Sequence, residues 1–444
     1  MEAELDLARS AVDVAVRAGA HEAEATFSVA RRFSTEARDK EITKLEQSVS
    51  RNLSLRVFVS GAKATLATSD FEADSLAAFV REAVDAARYV AGDEFGGLPD
   101  LALVAPSDAG LGMYSGDVTT RKAASKIGDA LELESIARAA DARIVNSGGS
   151  RVLDTDATIV LANSNGFAGA YRASSALFAT SPIAQDGANK LVGSYGTASR
   201  SYGTLEAVGA VAAKAAHRAL GMIGARKPPT MRCAVIFDRD VAASVLGDIF
   251  AAINAANVSL GNSFLIGKIG ERVGSELATI VDDGRLPHAL GTSPFDAEGV
   301  PTGRNVVFER GVLRTFLYDT YYGRKLGAAS TANAAGGGIG PNNFYLEPGP
   351  GTPQELIAST RRGILVMDTI GFATESVTGT YSRGARGYYI EDGEITHPVD
   401  EFTIAGNLVE MLAAIDAVAS DLVFDQPIVA PTFRVAEMTV SGGA

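Results

Sequence analysis

Apolar and polar residues alternate with period two in two early runs, EAEATFSVA from Glu22 and NLSLRVFV with Leu53, Leu55, Val57 and Val59 on one face. Period two belongs to a strand with one buried and one solvated side, so this part of the chain is predicted to form an antiparallel sheet that something must cover. Gly61 supplies a turn before a further short strand, KATLATS. Two amphipathic stretches provide the cover. Leu5, Ala8, Val12 and Ala15 recur at helical spacing ahead of Gly19, a suitable C′ residue. Leu76, Phe79, Val80, Ala83, Val84 and Ala87 form a stripe one helix face wide over about 73–90.

AGDEFGGLPDLALVAPSD then gathers Gly, Pro and acids in the manner of a connection. A helical region at about 119–142 precedes the strand-like runs RIVNS, ATIVLANSNGFAGAYRAS and SALFATS, with Asn and Gly at 163–166 for a tight turn. Another helix, about 205–222, stops at GARKPPT, because two prolines forbid its continuation. After it come a buried-type strand, MRCAVIFD, and a helix, DVAASVLGDIFAAINAA, that Asp238 or Asp240 can cap. Hairpins are expected about Arg310–Gly311 and Asp392–Gly393, then a helix in NLVEMLAAIDAV and a terminal strand in FRVAEMTVSG. The expectation is an α+β chain in three segments, 1–105, 106–225 and 226–444. The first two are mixed α/β with small antiparallel sheets covered by helices, and the last is a β-rich C-terminal domain.

With 444 residues, 46% of them hydrophobic, the chain exceeds what one core accommodates. Its net charge of -13 opposes binding to phosphate backbones or anionic lipid, so neither nucleic acid nor membrane is an expected partner. A lone cysteine, Cys233, excludes an intramolecular disulfide framework or a cysteine cluster for metal and fits a reducing compartment. The first twenty residues do not read as a signal peptide, and no stretch approaches the ~18 apolar residues of a membrane span. A cytoplasmic location is expected.

Catalytic chemistry is hard to find in the residues themselves. A catalytic zinc takes three protein ligands and keeps one position open. The four histidines, His21, His217, His288 and His397, include no pair at ligand spacing. There is no G-x-S-x-G, and GTYSRG around Ser382 has the wrong spacing. Cys233 sits in an apolar strand, where a thiol behaves as a small hydrophobe. AAGGGIGPNN matches no phosphate-binding pattern and reads as a flexible or substrate-contacting loop. The pairs Asp282–Asp283 and Glu391–Asp392 read as solvated turn residues.

Long strings in the last third are more specific. GTSPFDAEGVPTGRNVVFERGVLRTFLYDT and VTGTYSRGARGYYIEDGEITHPVDEFTIAGNLVEML closely resemble the TldD/PmbA family. The EAEA strand, the RVFVSGAKATLATSD hairpin and the NSNG turn extend the resemblance over nearly the whole chain. TldD-type members of that family carry H-E-x-x-x-H on a helix and a late cysteine that together hold zinc, with the Glu beside the first His as proton acceptor. Laying that motif on ASVLGDIFAAINAANV puts Gly247 and Ala252 at the histidine positions and Asp248 at the Glu. No histidine lies between His217 and His288, and QPIVAPTFRVAEMTVSG has no cysteine.

The chain thus resembles the PmbA (TldE) type. The resemblance implies no catalytic residue, metal or cofactor of its own, and zinc on a TldD-type partner. It also implies a dimer, hetero- or homo-, acting on unfolded peptides or peptide precursors. Asp296, Glu298, Gly299, Thr378, Ser382 and Gly387 are candidates for lining a peptide chamber or subunit interface, their glycines permitting close backbone approach; the competing reading is that they only build turns. Two other functions stay open: a homodimeric peptide-binding or chaperone-like protein, and a hydrolase with an unrecognised site such as His397 with nearby carboxylates.

Overall fold

The computed structural model describes residues 1–100 and 103–443. The N-terminal half is built on one antiparallel sheet of 7 strands. Its members are β1 (Glu22–Arg38), β2 (Glu41–Val59), β3 (Ala62–Thr68), β4 (Ile144–Asn163), β5 (Ala168–Asp186), β6 (Asn189–Val192) and β7 (Tyr195–Ser199). They run in the order β3-β2-β1-β4-β5-β6, with β7 also paired to β5. Strands from both expected N-terminal segments therefore share a sheet, and β1 pairs with β4 from Glu24↔Asn163 to Ala37↔Ser150.

Helices cover this sheet on one side. α1 (Glu2–Arg17) and α2 (Ala73–Arg88) bury Ala8, Val12, Ala15, Val80, Ala83 and Val84 against Ala25, Phe27, Leu53, Leu55 and Val57. Small residues at the contact let the helix axes lie close to the sheet. Next come α3 (Asp117–Thr120), α4 (Ala123–Ala139) and α5 (Val208–Leu220). Of these, α4 and α5 pack on the far end of the sheet around Val152, Phe178 and Tyr195. β1 and β2 are much longer than their alternating runs. Residues 43–51 are exposed, so the apolar alternation stops where the helices stop covering, while backbone pairing continues.

The C-terminal half begins with β8 (Met231–Phe237), α6 (Arg239–Ile253) and α7 (Ala255–Ser259). A sheet of 5 strands follows, in the order β11-β10-β9-β14-β19. It comprises β9 (Ile280–Asp283), β10 (Arg304–Glu309), β11 (Val312–Leu313), β14 (Phe344–Leu346) and β19 (Ile428–Val429). Between them lie α8 (Thr320–Leu326) and the small hairpin of β12 (Ala334–Ala335) and β13 (Gly338–Ile339). After α9 (Pro353–Ala358), the meander β15 (Arg362–Thr374), β16 (Thr380–Glu391) and β17 (Glu394–Asn407) leads through α10 (Leu408–Ala413) and β18 (Ile415–Val418) to β20 (Phe433–Ser441). β15 runs parallel to β8, β20 antiparallel to it. Pairing of Thr403 with Ser441 and Ile404 with Val440 then closes β17-β16-β15-β8-β20 into a barrel.

Both anticipated hairpins occur, with positive φ at Arg310 (46°) and Gly311 (79°), and at Asp392 (50°) and Gly393 (82°). One large core joins the barrel to α6 and the five-stranded sheet through Phe237, Ile249, Ile253, Phe308, Phe344 and Tyr381. Edge-to-face contact of Phe167 with Phe295, centroids 5.0 Å apart, ties the N-terminal sheet to the C-terminal half. No helix among the described residues is long and apolar enough to cross a membrane.

Candidate functional site

Two places bring the candidate residues together. The first is α6, whose cap Asp238 accepts from the Asp240 N–H. The helix buries Val241, Ala242, Val245, Leu246, Ile249 and Ala252. Asp248 stands on its flank and meets Arg383 of β16, whose Nη2 lies 3.0 and 2.8 Å from Oδ1 and Oδ2. Thr374 Oγ1 donates to Asp248 Oδ2 at 3.1 Å. Burial holds the Asp248 carboxyl above its ordinary range, although Arg383 and Thr374 both pull it down.

These residues do not fit a zinc ion. Gly247 offers no side chain, Ala252 only a buried methyl, and Asp248 is committed to a guanidinium. Among the described residues no three His, Cys, Asp or Glu side chains converge as a metal site. Cys233 is buried and its thiol is pushed up to about 11 by burial. His397 stacks on Tyr389, its Nδ1 lying 2.9 Å from Thr396 Oγ1 and 3.2 Å from Arg226 Nη2.

Thr378, Ser382 and Gly387 lie on β16 or the turn before it. Thr378 is exposed, 2.8 Å from Thr380 Oγ1, and its carbonyl accepts from Asn407 Nδ2. Ser382 alternates with the buried Tyr381 and Arg383 and so faces the opposite side of the strand. At Gly387 a Cβ would stand 1.9 Å from the Leu365 carbonyl oxygen of the neighbouring strand. Gly387→Ala is therefore expected to force β15 and β16 apart and cost about 3 kcal/mol in urea unfolding; an unchanged midpoint would show that the strands part without strain.

The second place is a cleft of about 670 Å³ between the uncovered face of the N-terminal sheet and the C-terminal half. Glu24 and Thr26 of β1, Ser54 and Arg56 of β2, and Lys63 of β3 form one wall. They alternate with the apolar residues that face α1 and α2, which is why the sequence puts them on this side. Glu298, Asp319, Tyr321 and the glycines of the β12–β13 hairpin form the other wall. Arg56 bridges the two halves, with Nη2 2.5 Å from Glu24 Oε1 and Nη1 3.4 Å from Glu298 Oε1. Glu298 Oε2 in turn accepts from the Thr320 N–H at 2.9 Å.

Asp296 sits behind Glu298 and shapes the turn. Its Oδ1 accepts from the Glu298 and Val300 N–H groups at 2.9 and 3.0 Å, and its Oδ2 from the Ala334 N–H at 3.0 Å. Gly299 takes φ +78° in that turn and packs against Phe167. Asp282 holds the base of the glycine hairpin: Oδ2 accepts from Asn333 Nδ2 at 2.7 Å and Asn342 Nδ2 at 2.9 Å, and Oδ1 from the Asn342 N–H at 2.8 Å. The sequence reading of Asp282–Asp283 as a solvated turn is thereby corrected. Both residues are buried in β9, where the carboxylate substitutes for missing backbone pairing of the loop.

Burial pushes three of these carboxyls up, Asp282 to about 6, Glu24 to about 7 and Asp296 to about 8. Each holds a proton more readily in the folded than in the unfolded chain. Its stabilising contribution is complete below about pH 4 and lost as the pH rises through those values. The melting temperature is expected to fall between pH 5 and 8.5, with Asp296→Asn flattening the slope; a rise over that interval would contradict the assigned burial.

Of the residues gathered in these two places, Asp296, Glu298 and Gly299 are among the sequence candidates, Asp282 reads in sequence as a turn residue, and Glu24, Arg56 and Arg383 are outside the candidates. The one signal available was position: Glu24 and Arg56 occupy the polar phase of strands whose apolar phase is fully committed to a helix-covered core.

Comparison with known proteins agrees with the architecture. Family models match residues 23–87 as PmbA/TldA metallopeptidase domain 1, 117–223 as the central domain and 230–442 as the C-terminal domain. The chain is 34% identical to a Haemophilus influenzae protein named metalloprotease PmbA homolog, covering 97% of this chain and 94% of that one. It is 30% identical to the metalloprotease PmbA of Escherichia coli O157:H7, over 95% and 92% of the two chains. In structure it matches TldE from Thermococcus kodakarensis with a TM-score of 0.89 at 20% identity, over 98% of this chain and 100% of that one. On these matches the chain belongs to the PmbA/TldA metallopeptidase family, as a member of the PmbA/TldE type.

Proposed function

We propose that this protein is the non-catalytic subunit of a TldD–TldE-type zinc metalloprotease complex, in which the TldD-type partner carries the zinc and this chain helps to hold unfolded peptide. The observation that carries this reading is the Asp248–Arg383 pair. At the position of the family's proton acceptor stands a carboxylate held by a guanidinium, flanked at the two histidine positions by Gly247 and Ala252. A general base must reach the water it deprotonates, and a carboxylate already hydrogen-bonded on both oxygens is poorly placed to do so. The relatives named metalloprotease include a TldD homolog of Haemophilus influenzae, 33% identical over 165 residues, which supports a TldD-type chain as the partner to test.

The test is cleavage of an unstructured fluorogenic peptide by this chain, by a TldD-type partner and by the mixture, each with and without a zinc chelator. Chelator-sensitive cleavage by the mixture, above that of the partner alone, is expected. Chelator-sensitive cleavage by this chain alone, or no gain on mixing, would overturn the reading.

A further inference from the structure

β2 carries a long open edge. On one side it pairs with β1 along its whole length, from Glu22↔Phe58 to Arg38↔Glu41. On the other side β3 takes up only Leu53–Val59, beginning at Leu53↔Thr68. From Glu41 to Asn52 the outward edge therefore meets no strand among the described residues. Residues 43–51 are exposed on both faces, and Leu45 and Val49 keep 55% and 61% of their surface in water. An open edge is a template for another strand, and charges placed on it ordinarily keep a second copy away. Whether they do so depends on which residues they would face.

Symmetry and β3 narrow that to one register. Two copies joined edge to edge about a two-fold axis run antiparallel and keep their helix-covered faces on the same side. Each residue then faces a residue of its own face, so the register slides in steps of two. With Leu45 opposite its own counterpart, Lys44 faces Glu46, Thr43 faces Gln47 and Glu41 faces Val49. The β1–β2 turn at Asp39 and Lys40 comes opposite Arg51 and Ser50, just short of the point where Thr68 takes over the edge. One step further drives that turn against Asn52 and Leu53, into β3, and sets Glu46 against Glu46. One step back sets Lys44 against Lys44.

The charges agree with the register that fits. Lys44 Nζ and Glu46 Oε2 stand 3.1 Å apart on one face of a single copy, both side chains more than half exposed. Pairing adds the same two charges from the other copy, making a square of alternating sign, and lays Leu45 on Leu45 on the opposite face. An edge built to repel its own copy would set like charges against each other in that register.

We infer that two copies of this chain associate through residues 41–49 of β2, as an antiparallel pair centred on Leu45 that joins their N-terminal sheets into one. This goes beyond the subunit reading and needs neither a TldD-type chain nor a peptide.

The test is sedimentation velocity of the full chain alone from about 1 to 100 μM, where a concentration-dependent dimer is expected. Lys44→Glu and Glu46→Lys, both at exposed positions, should each weaken it about tenfold by setting like charges opposite each other. Mixed with one another, the two variants should dimerise at least as tightly as the original chain, because every facing pair of charges is then of opposite sign. Oxidation of Leu45→Cys should cross-link two copies, whereas Ser48→Cys, which faces Ile42, should not. The native Cys233 is only 6% exposed and takes no part.

A chain that stays monomeric through about 100 μM overturns the proposal. So does a dimer that neither charge variant weakens, or a pair of variants that stays apart on mixing, since association would then use another surface. Failure of Leu45→Cys to cross-link, or cross-linking through Ser48→Cys in its place, overturns the register and the argument from charge with it. Because no partner and no cleavage enter these measurements, their failure leaves the subunit reading standing, and failure of the cleavage test leaves this interface intact.

Discussion

Replacing Arg383 by alanine is expected to lower the unfolding free energy by about 3–5 kcal/mol, the penalty of leaving a largely buried carboxylate without its cation. Arg383 is 7% exposed and its guanidinium serves Asp248, Thr374 Oγ1 at 3.2 Å and the Gly371 carbonyl at 2.9 Å. Removing it leaves the Asp248 carboxylate of α6 with the Thr374 hydroxyl of β15 as its one remaining side-chain donor among the described residues. Both members removed together, as Asp248→Leu with Arg383→Met, should recover most of the loss, because apolar groups of similar volume need no partner. Chemical denaturation of the single and double variants decides the matter. A loss below about 1 kcal/mol for Arg383→Ala would mean that the pair behaves as a surface ion pair. Asp248 would then be free to work on water, and a non-catalytic role for this chain would lose its main support.

The second large effect is expected from Asp282→Ala, on the order of 3 kcal/mol. Asp282 is 0% exposed and accepts from Asn333 and from both the side chain and backbone of Asn342. Hydrogen bonds to a charged acceptor contribute about 1.5–3 kcal/mol each, but the two amides keep their second bonds, to the carbonyls of Gly340 and Ala332, so the losses do not simply add. The particular consequence is local. With its base released, the hairpin carrying Gly336–Gly338 should open on its own, and limited proteolysis is expected to shift to residues 334–340 before the rest of the chain unfolds. Cleavage rates there indistinguishable from the wild type would show that the hairpin is held from elsewhere, for instance by the bond from Asp296 to Ala334.

Sequence and tertiary structure divided this protein along a physical line. Wherever a residue's partner lay a few positions away, pattern was enough. Gly19 at φ +104°, the hairpins at Arg310–Gly311 and Asp392–Gly393, and the faces of α1 and α2 were all legible, because helix periodicity, strand alternation and positive φ are local properties. The α+β class followed from the same signals.

What the sequence did not determine was pairing at a distance. β1 and β2 continue well past their alternating runs because backbone ladders persist without an apolar face. The barrel closes through β17 and β20, strands separated by a helix and two further strands. Arg383 finds Asp248 across 135 positions, and Arg56 finds Glu298 across 242. Charged residues carry no periodicity that announces a partner, and Glu24 or Asp282 looks in sequence like any solvated acid. Only the packing of a sheet's polar face against a second body turns such acids into buried, paired and shifted groups, so the cleft and its chemistry were decided by the tertiary structure.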